Sequence, residues 1–515
     1  MEYLLTNQQM RAADTYTIHG LGVPALTLME RAGEALFTLV QKLAPTGRIA
    51  CICGGGNNGG DGFVCARLLK RAGREVDVVF FAEKTSEECK INLEKYRVDG
   101  GAILDTLPTE KETEKETEKE AEKGYSLLLD CLFGTGFHGE LPPRYRLEIE
   151  KMNAFFEKGR LVLAADIPSG VNGNNGFAAT GAVRASHTLC IGEKKAGVLL
   201  GDGIDHAGRV LRADIGIVLP AEERYGEIID EAEMKTLVKR RKRNAHKGSF
   251  GKAAIVAGSI EYTGAAALSV SACLRAGAGY TTLFTPAGLL PYYIWKYPEA
   301  LLESLCEGGR VAFNEENFEK LLAYDSIAYG MGMGESEETA KGALWLLERY
   351  TGKLILDADA LNSLAKYVDE ENRSYAFATK MCDVILTPHI KEFSRLSGKS
   401  VEDILQEGLY APVAFAKRNK VCVLLKNAVS VLTDGERVAI NVVGTVGQAK
   451  GGSGDVLSGV IAGLCASGLS AFDGGKAGAY LTGKAAQIAV EETGEYSLTA
   501  TDVIGALGKA FLSVL

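Results

Sequence analysis

The sequence predicts an α/β protein whose parallel sheets are covered by helices on both faces. Short apolar runs with strand-like composition recur along the 515 residues, and helical patterns alternate with them. Glycine-rich loops follow several of these runs, and the 61 glycines exceed an average share of about 7%. Because open α/β sheets bind ligands beyond the carboxyl ends of their strands, we expect function in these loops.

The elements are predicted in order from hydrophobic spacing. A helix over residues 25–42 has the apolar face Met29, Ala32, Leu36, Leu39 and Val40. The strands predicted in the first half are Ile49–Cys53, Val76–Phe81, Leu127–Asp130 and Leu161–Ala165. Those predicted in the second half are Ala253–Ala257, Thr281–Thr285, Leu354–Asp357, Val384–Thr387 and Val421–Leu425.

Length and composition set the broad class. A chain this long exceeds one ordinary core, and a polar stretch near 220–245 predicts two domains, 1–222 and 223–515. The 46% hydrophobic and 24% charged residues are typical of soluble globular proteins, and the net charge of −9 argues against nucleic acid as a partner. The sequence has no membrane-length apolar run and no signal-peptide pattern, which predicts a cytoplasmic protein. The eleven cysteines lack metal-site spacing and are expected to be reduced core thiols.

Two charged segments are less informative. Residues 109–123 repeat Thr-Glu-Lys-Glu without an apolar face, so we interpret them as a solvated helix or loop, with partner binding as the weaker alternative. The basic run 239–247 is of a kind that is usually solvated. Its place before a new strand–loop–helix unit leaves a role near a phosphorylated ligand open.

The loop Gly451-Gly452-Ser453-Gly454-Asp455 carries the strongest chemical signal. Consecutive backbone N–H groups of glycines can converge on an anion, and a following helix adds its partial positive charge. A carboxylate beside such a cradle repels phosphate unless it has a catalytic task, so Asp455 suggests phosphoryl transfer to a hydroxyl. The structural alternative is a glycine-rich turn capping a buried helix.

Three loops of the first half follow predicted strands. The first, GGGNNGGDG at 54–62, is interpreted as an open loop with many free N–H donors, and it is neither a Walker loop nor a GxGxxG fingerprint. The second and third are DCLFGTGFHGE at 130–140 and DIPSGVNG at 166–173. Asn58, Asp130 and Ser169 are hard oxygen donors that could converge on a cation such as potassium, although helix caps and Asx turns explain such residues equally well.

Together these three loops resemble the NAD(P)HX epimerase domain, the YjeF N-terminal family. The resemblance implies a Rossmann-like fold that interconverts the R and S hydrates of NADH and NADPH. It implies a potassium ion at Asn58, Asp130 and Ser169, and it makes Asp166 the candidate acid/base group. The residues that it places against the hydrate are Asn57, Asn58, Gly59, Gly60, Asp61, Gly134, Thr135, Gly136, Phe137, His138, Gly139, Glu140 and Asp166.

The second half resembles the ribokinase-like superfamily, and within it the ADP- or ATP-dependent NAD(P)HX dehydratases. LDADALN at 356–362 and LTPHIKEF at 386–393 are the specific marks, and GGSGD is shared with sugar and vitamin kinases. The resemblance implies a ribokinase-like α/β domain that binds magnesium with ADP or ATP and uses Asp455 as its base. It places Ala265, Gly332, His389 and Asp455 at the hydrate, and Lys426, Asn427, Ala428, Val429, Ser430 and Gly454 at the nucleotide.

The sequence therefore predicts a bifunctional repair enzyme with small-molecule substrates, no membrane partner and a homo-oligomeric state. A vitamin or sugar kinase fused to a nucleotide-binding scaffold domain is the alternative. Two local departures from the family pattern, Lys426-Asn427 for Lys-Gly and Gly330-Met331-Gly332 for Gly-Pro-Gly, remove no catalytic group.

Overall fold

The computed structural model describes residues 2–108, 124–221 and 226–515, so the Thr/Glu/Lys repeat 109–123 lies outside the described residues. The chain divides into two compact units. One contains Glu2–Tyr225 and Leu405–Gly408, and the other contains Gly226–Ile404 and Leu409–Leu515. The predicted domain limits, 1–222 and 223–515, stay a prediction because residues 222–225 are not described.

The first unit is built on a parallel sheet. Its strands are β1 (Glu2–Leu5), β2 (Arg48–Cys53), β3 (Val76–Phe80), β4 (Ile103–Leu104), β5 (Tyr125–Cys131), β6 (Leu161–Ala165), β7 (His187–Ile191), β8 (Lys194–Lys195) and β9 (Arg209–Ala213). Seven of them pair in parallel in the order β4-β3-β2-β5-β6-β7-β9, and β1 pairs in parallel with β8.

Helices cover both faces of this sheet. They are α1 (Asn7–Thr15), α2 (Ala25–Leu43), α3 (Asn57–Arg71), α4 (Glu87–Val98), α5 (Pro143–Glu157) and α6 (Gly203–Ala207), with a π-helical turn at Tyr16–Gly20 and a 3-10 turn at Ala196–Val198. One hydrophobic cluster joins α2 and α3 to one face of the central strands, and a second joins α5 to the other face. Both faces of the central strands are therefore buried, as continuous apolar strands require.

The second unit contains a larger sheet. Its strands are β10 (Gly226–Ile228), β11 (Lys252–Val256), β12 (Tyr280–Thr285), β13 (Leu301–Ser304), β14 (Ser326–Tyr329), β15 (Lys353–Leu356), β16 (Asp383–Leu386), β17 (Cys422–Leu425), β18 (Ser430–Thr433) and β19 (Val438–Asn441). They are hydrogen-bonded in the order β13-β12-β11-β14-β15-β16-β17-β18-β19-β10, antiparallel only at β17-β18-β19.

Helices flank this sheet as well. They are α7 (Glu231–Leu237), α8 (Thr263–Ala276), α9 (Leu290–Tyr293), α10 (Glu315–Phe318), α11 (Glu337–Arg349), α12 (Asp359–Tyr367), α13 (Glu370–Thr379), α14 (Ile390–Ser397), α15 (Val401–Glu407), α16 (Tyr410–Asn419), α17 (Ser453–Ala466), α18 (Ala471–Ser497) and α19 (Ala500–Val514). Short 3-10 turns lie at Lys247–Phe250, Ala287–Leu289, Glu319–Ala323 and Val446–Gln448. Two hydrophobic clusters, one on each face of the sheet, make up the core of this unit.

Both units confirm the predicted α/β class, and each predicted strand is present to within two residues at either end. All eleven cysteines are free thiols, and ten of them are buried. None of the described helices combines the length and the apolar composition that crossing a membrane requires.

The basic run 239–247 packs against aromatic side chains of the second unit. The guanidinium of Arg241 stacks on Phe250, 3.9 Å from the ring centroid, and the ammonium of Lys247 lies over the ring of Tyr280. Tyr280 begins β12, so the run packs at the amino edge of the sheet, whereas GGSGD lies beside residues that follow carboxyl ends of strands. A role of this run near a phosphorylated ligand stays an open alternative.

Candidate active sites

A cavity of about 800 Å³ opens at the carboxyl ends of the strands in the first unit. Its wall contains residues from α1, α3, the loop after β5, the end of β6 and β8. The predicted site residues that line it are Asn57, Asn58, Asp61, Gly134, Thr135, Gly136, Phe137, His138, Glu140 and Asp166. Gly59, Gly60 and Gly139 are not in the wall.

The stretch that was predicted to be an open glycine loop is largely helical. Helix α3 begins at Asn57, so the segment from Asn57 to Gly62 forms its first turns. A Cβ atom on Gly59 would lie 1.8 Å from the carbonyl oxygen of Gly54, and one on Gly60 would lie 2.6 Å from the side chain of Met29. The two glycines thus permit close packing of the helix, and they do not supply an extended loop.

Asp166 is held in an unusual backbone conformation at the end of β6. Its φ angle is +68°, a region that few residues other than glycine adopt. Its Oδ1 accepts hydrogen bonds from the ammonium of Lys195 and from the backbone N–H of Ile191, the latter at 3.1 Å. Its Oδ2 lies on the side of Gly134, where a Cβ atom would come within 3.5 Å of it. One carboxylate oxygen is thus fixed by protein donors, and the other faces the predicted substrate loop.

Two further acidic side chains share the cavity. Burial raises the pKa of Asp61 well above its usual value, and the negative charge of Asp166 adds to this while Lys195 opposes it. Burial also raises the pKa of Asp14 to about 6, although the positive charge of Lys195 opposes the effect. Asp14 and Lys195 were not predicted from the sequence. Asp14 lies in an ordinary amphipathic helix and Lys195 in a two-residue strand, so neither position carried a local signal.

The three predicted cation ligands are connected by hydrogen bonds through the backbone of Phe133. Asp130 accepts hydrogen bonds from the hydroxyl of Ser169 at 2.6 Å and from its backbone N–H at 2.8 Å. Asn58 donates its amide to the carbonyl oxygen of Phe133 at 2.9 Å, and its own Oδ1 is buried without a hydrogen-bond partner among the described residues. An unpaired amide oxygen together with a buried carboxylate is a donor set that suits a monovalent cation.

In the second unit, α17 begins inside the GGSGD loop. Gly452, with φ +95°, is the residue before the helix, and Ser453, Gly454 and Asp455 form its first turn. A Cβ atom on Gly454 would lie 3.2 Å from the Nζ atom of Lys426 and 3.7 Å from a carboxylate oxygen of Asp357. The free backbone N–H groups at this helix start therefore lie beside a lysine and two aspartates.

A buried ion pair supports this loop. Lys426 donates to Oδ1 of Asp357 at 2.8 Å, and the hydroxyl of Ser458 donates to Oδ2 at 2.7 Å. Ser458 lies three residues after Asp455 on α17, so the same carboxylate connects the catalytic helix to the turn after β17. Lys426 was predicted to contact the nucleotide. In the structure its ammonium points to Asp357.

Asp455 has the pKa expected of a base that works near neutral pH. Burial raises its pKa to about 7, the charges of Asp357, Asp359 and Glu392 add to the shift, and Lys426 opposes it. Strongly shifted carboxyl groups of this kind are common at active sites.

Three further residues were predicted to bind the hydrate: Gly332 packs against Ala265, and His389 caps a helix. Gly332, with φ +63°, lies against Ala265, since a Cβ atom on it would come within 2.7 Å of the Ala265 Cβ. His389 caps α14, where its Nδ1 accepts from the N–H groups of Lys391 and Glu392 at 3.1 and 3.2 Å. Burial lowers the pKa of His389, and its Nε2 lies 3.5 Å from Oε1 of Glu392.

The segment Lys426–Ser430 forms a turn between two strands. It joins the antiparallel strands β17 and β18, which pair Leu425 with Val431. Asn427 and Ala428 are exposed at its tip, and Val429 is buried. Ser430 donates its hydroxyl to the carbonyl oxygen of Asn427 at 3.4 Å.

Comparison with known proteins assigns a family to each half. Residues 25–197 match the family described as YjeF-related protein N-terminus, and residues 253–509 match the family described as NAD(P)H-hydrate dehydratase. Among solved structures, the ADP/ATP-dependent NAD(P)H-hydrate dehydratase of Bacillus subtilis, co-crystallised with ATP and Mg²⁺, is 25% identical with a TM-score of 0.49. The match covers 56% of this chain and 99% of that one.

Relatives that match over their whole length combine both halves. The bifunctional NAD(P)H-hydrate repair enzyme Nnr of Thermofilum pendens is 35% identical over 98% of this chain and 95% of its own. The enzyme of the same name from Moorella thermoacetica is 33% identical over 98% of this chain and 95% of its own. This chain belongs to the family of bifunctional NAD(P)H-hydrate repair enzymes, with an epimerase and a dehydratase domain.

Proposed function

We propose that the first unit interconverts the R and S hydrates of NADH and NADPH, and that the second unit dehydrates the S hydrate at the expense of ADP, giving AMP and phosphate. The observation that carries the proposal is Asp455, a carboxylate with a pKa of about 7 in the first turn of α17, next to free helix N–H groups. ADP is preferred to ATP by resemblance to fused enzymes of prokaryotic type, and no single residue decides between them.

The dehydratase step follows from the position of Asp455. The hydrate has a hydroxyl at C6 of the reduced nicotinamide ring, and hydroxide is a poor leaving group. Asp455 takes the proton of this hydroxyl as the oxygen attacks the terminal phosphoryl group of the nucleotide. Phosphate then leaves from C6, and loss of a ring proton restores the dihydronicotinamide. No hydride is transferred, so the NAD(P) moiety is a substrate.

The backbone around Asp455 stabilises the charge that develops on the phosphoryl group. In this proposal the N–H groups of Gly451, Gly452 and Gly454 donate to that charge, whereas the N–H of Ser453 donates to the carbonyl oxygen of Lys450 at 3.5 Å. Such donors are worth about 3 kcal/mol each in comparable oxyanion holes. Magnesium bound with the nucleotide would neutralise phosphate charge. Ala265 and Gly332 bind the hydrate, and His389 contacts it through Nε2. The turn Lys426–Ser430 holds the adenylate portion through its backbone, with the Lys426 ammonium kept at Asp357.

In the first unit, Asp166 exchanges a proton with the hydrate through its Oδ2. The loop Gly134–Glu140 and the start of α3 bind the dinucleotide. Asn58, Asp130 and Ser169 would hold a potassium ion, whose charge offsets that of the buried Asp130 carboxylate. The two activities belong together, because a dehydratase selective for the S hydrate would leave the R hydrate unused.

Two substitutions separate the activities. The S hydrate of NADH is incubated with the protein, magnesium and either ADP or ATP, and NADH recovery is followed at 340 nm. We expect Asp455→Asn to lower recovery by about 10³-fold or more and to leave R/S interconversion unchanged. Asp166→Asn should slow use of the R hydrate alone. Glu348→Gln, an exposed charge change on α11, is the matched control and should retain both activities.

The same assay also shows which results would contradict the proposed function. No NADH formation by the unaltered protein with either nucleotide would disprove the dehydratase assignment. Accumulation of a stable phosphorylated hydrate would favour a kinase. Loss of both activities in Asp455→Asn would argue against separate sites.

A further inference from the structure

The epimerase cavity contains a second carboxyl group that can exchange protons near neutral pH. Asp14, on α1, lies in the wall of the same cavity as Asp166, and neither the resemblance nor the sequence pattern gives it a role. Its side chain is partly exposed to the cavity. No hydrogen bond to its carboxylate is formed within the described residues.

Charged side chains share the cavity wall with Asp14, which also contains apolar residues such as Met10 and Met29. Lys195 on β8 is 1% exposed, and it donates to Asp166 and to the carbonyl oxygen of Ile191, the latter at 2.6 Å. Asp61 on α3 is 7% exposed and has no ion-pair partner among the described residues. Other charged or titratable side chains of the cavity wall are Lys84, Glu88, His138, Glu140 and Tyr145.

Lys195 shares this cavity wall with Asp14, Asp61 and Asp166. It donates to Oδ1 of Asp166 and so fixes that oxygen. Burial raises the pKa of Asp14 to about 6, the positive charge of Lys195 opposes this rise, and the negative charge of Asp166 adds to it. A carboxyl group whose pKa lies near the working pH can both give and accept a proton.

Epimerisation at C6 needs proton transfer on both faces of the ring. In one direction the C6–O bond breaks while the lone pair of N1 forms the C6=N1 bond, and the hydroxyl leaves as water with a proton from an acid. Water then adds to the opposite face of C6, the C6=N1 electrons return to N1, and the added water gives a proton to a base. A carboxylate whose Oδ1 is fixed, as that of Asp166 is, transfers protons on one face of the ring.

We propose that Asp14 is the second proton-transfer group of the epimerase, acting on the face of C6 opposite to Asp166, with Lys195 as the positioning residue that holds Asp166. This inference rests on the proposed epimerase function of the first unit. The active form carries one proton on the pair, so that each group acts as the acid in one direction and as the base in the other.

The test uses the full chain and the R hydrate of NADPH without added nucleotide, so that the dehydratase is silent. Conversion to the S hydrate is measured by chromatography between pH 5 and 8.5. For the unaltered protein we expect kcat/KM to fall as the pH rises through about 6, because Asp14 then loses the shared proton. Asp14→Asn should lower kcat/KM by about 10²- to 10⁴-fold and abolish this fall with pH, which we call the limb near pH 6.

Controls separate chemistry from folding. Arg11→Gln changes an exposed charge on the same helix and should keep both the rate and the pH profile. Asp14→Glu keeps the carboxyl group and should recover at least about tenfold over Asp14→Asn, with the limb restored. Thermal unfolding of each variant, followed by differential scanning calorimetry, reports whether the first unit, which contains Asp14, is folded.

The outcomes are distinct. An Asp14→Asn protein that keeps its rate within about threefold, or that keeps the limb near pH 6, overturns the role of Asp14 and leaves the proposed epimerase intact. If the unaltered protein does not interconvert the hydrates at any pH, the proposed function itself fails, and this inference fails with it.

Discussion

Asp455 lies among three acidic side chains and one lysine, and their balance sets the pH range in which it can accept a proton. Burial and the charges of Asp357, Asp359 and Glu392 raise its pKa, whereas the ammonium of Lys426 lowers it. Lys426 is itself fixed by Asp357 at 2.8 Å. The lysine that was predicted to bind the nucleotide can therefore also tune the base.

Removing that lysine should shift the pH profile of the dehydratase. A base must be ionised to act, so kcat/KM of the unaltered protein should rise as the pH increases through about 7. In Lys426→Met the opposing positive charge is gone, and the rise should move upward by about one pH unit. The measurement is kcat/KM for the S hydrate at saturating ADP between pH 5.5 and 9.

Lys426→Arg keeps the charge and serves as the matched control, with a midpoint near that of the unaltered protein. A profile of Lys426→Met that coincides with the unaltered one would mean that Lys426 does not influence the base. A flat profile in all three proteins would mean that Asp455 is not the group that titrates.

At the scale of single elements, the sequence was sufficient to predict a strand wherever burial alone determines the structure. Continuous apolar runs such as Leu161–Ala165 were predicted to the residue because both faces of the strand are buried. The two-residue strand Lys194–Lys195 has no such pattern, since its pairing with β1 depends on residues nearly two hundred positions away. Lys195, and with it the ion pair that holds Asp166, was missed for that reason.

The start of α3 shows a second limit of prediction from sequence. Six glycines in nine residues predicted an open loop, because glycine weakens helices by about 1 kcal/mol relative to alanine. Tertiary packing overrides this preference. The backbone of Gly59 packs directly against the carbonyl group of Gly54, a contact that any side chain would prevent.

That contact predicts the effect of one added methyl group. In Gly59→Ala the new Cβ would lie 1.8 Å from a backbone oxygen, so α3 has to shift away from the loop after β2. We expect the first unit to lose about 1–3 kcal/mol of stability and the epimerase to lose most of its activity, while the dehydratase is retained. Urea denaturation and separate assays of the two activities measure these effects.

Gly124→Ala is the control within the same unit, since among the described residues its Cβ would meet only the end of the Arg160 side chain, at 3.6 Å. It should change neither the stability nor the epimerase rate. A stable, active Gly59→Ala protein would show that the start of α3 can move without disturbing the cavity.

At the scale of the whole molecule, each unit has hydrophobic clusters of its own. The clusters around Leu36 and Ile149 contain residues of the first unit, and those around Val270 and Leu354 contain residues of the second. Each candidate active site likewise draws its side chains from one unit. Chains with separate cores commonly unfold in more than one step.

Ligands of the two sites should therefore stabilise different parts of the chain. A ligand that binds only the folded state adds about 2.7 kcal/mol at a concentration one hundred times its Kd. In differential scanning calorimetry we expect two unfolding transitions. Magnesium and ADP should raise the midpoint temperature of one, and potassium, used in place of a larger organic cation, should raise that of the other. Gly59→Ala should lower the transition that responds to potassium and leave the nucleotide-responsive one unchanged, whereas a single transition raised by both ligands would mean that the two units unfold as one.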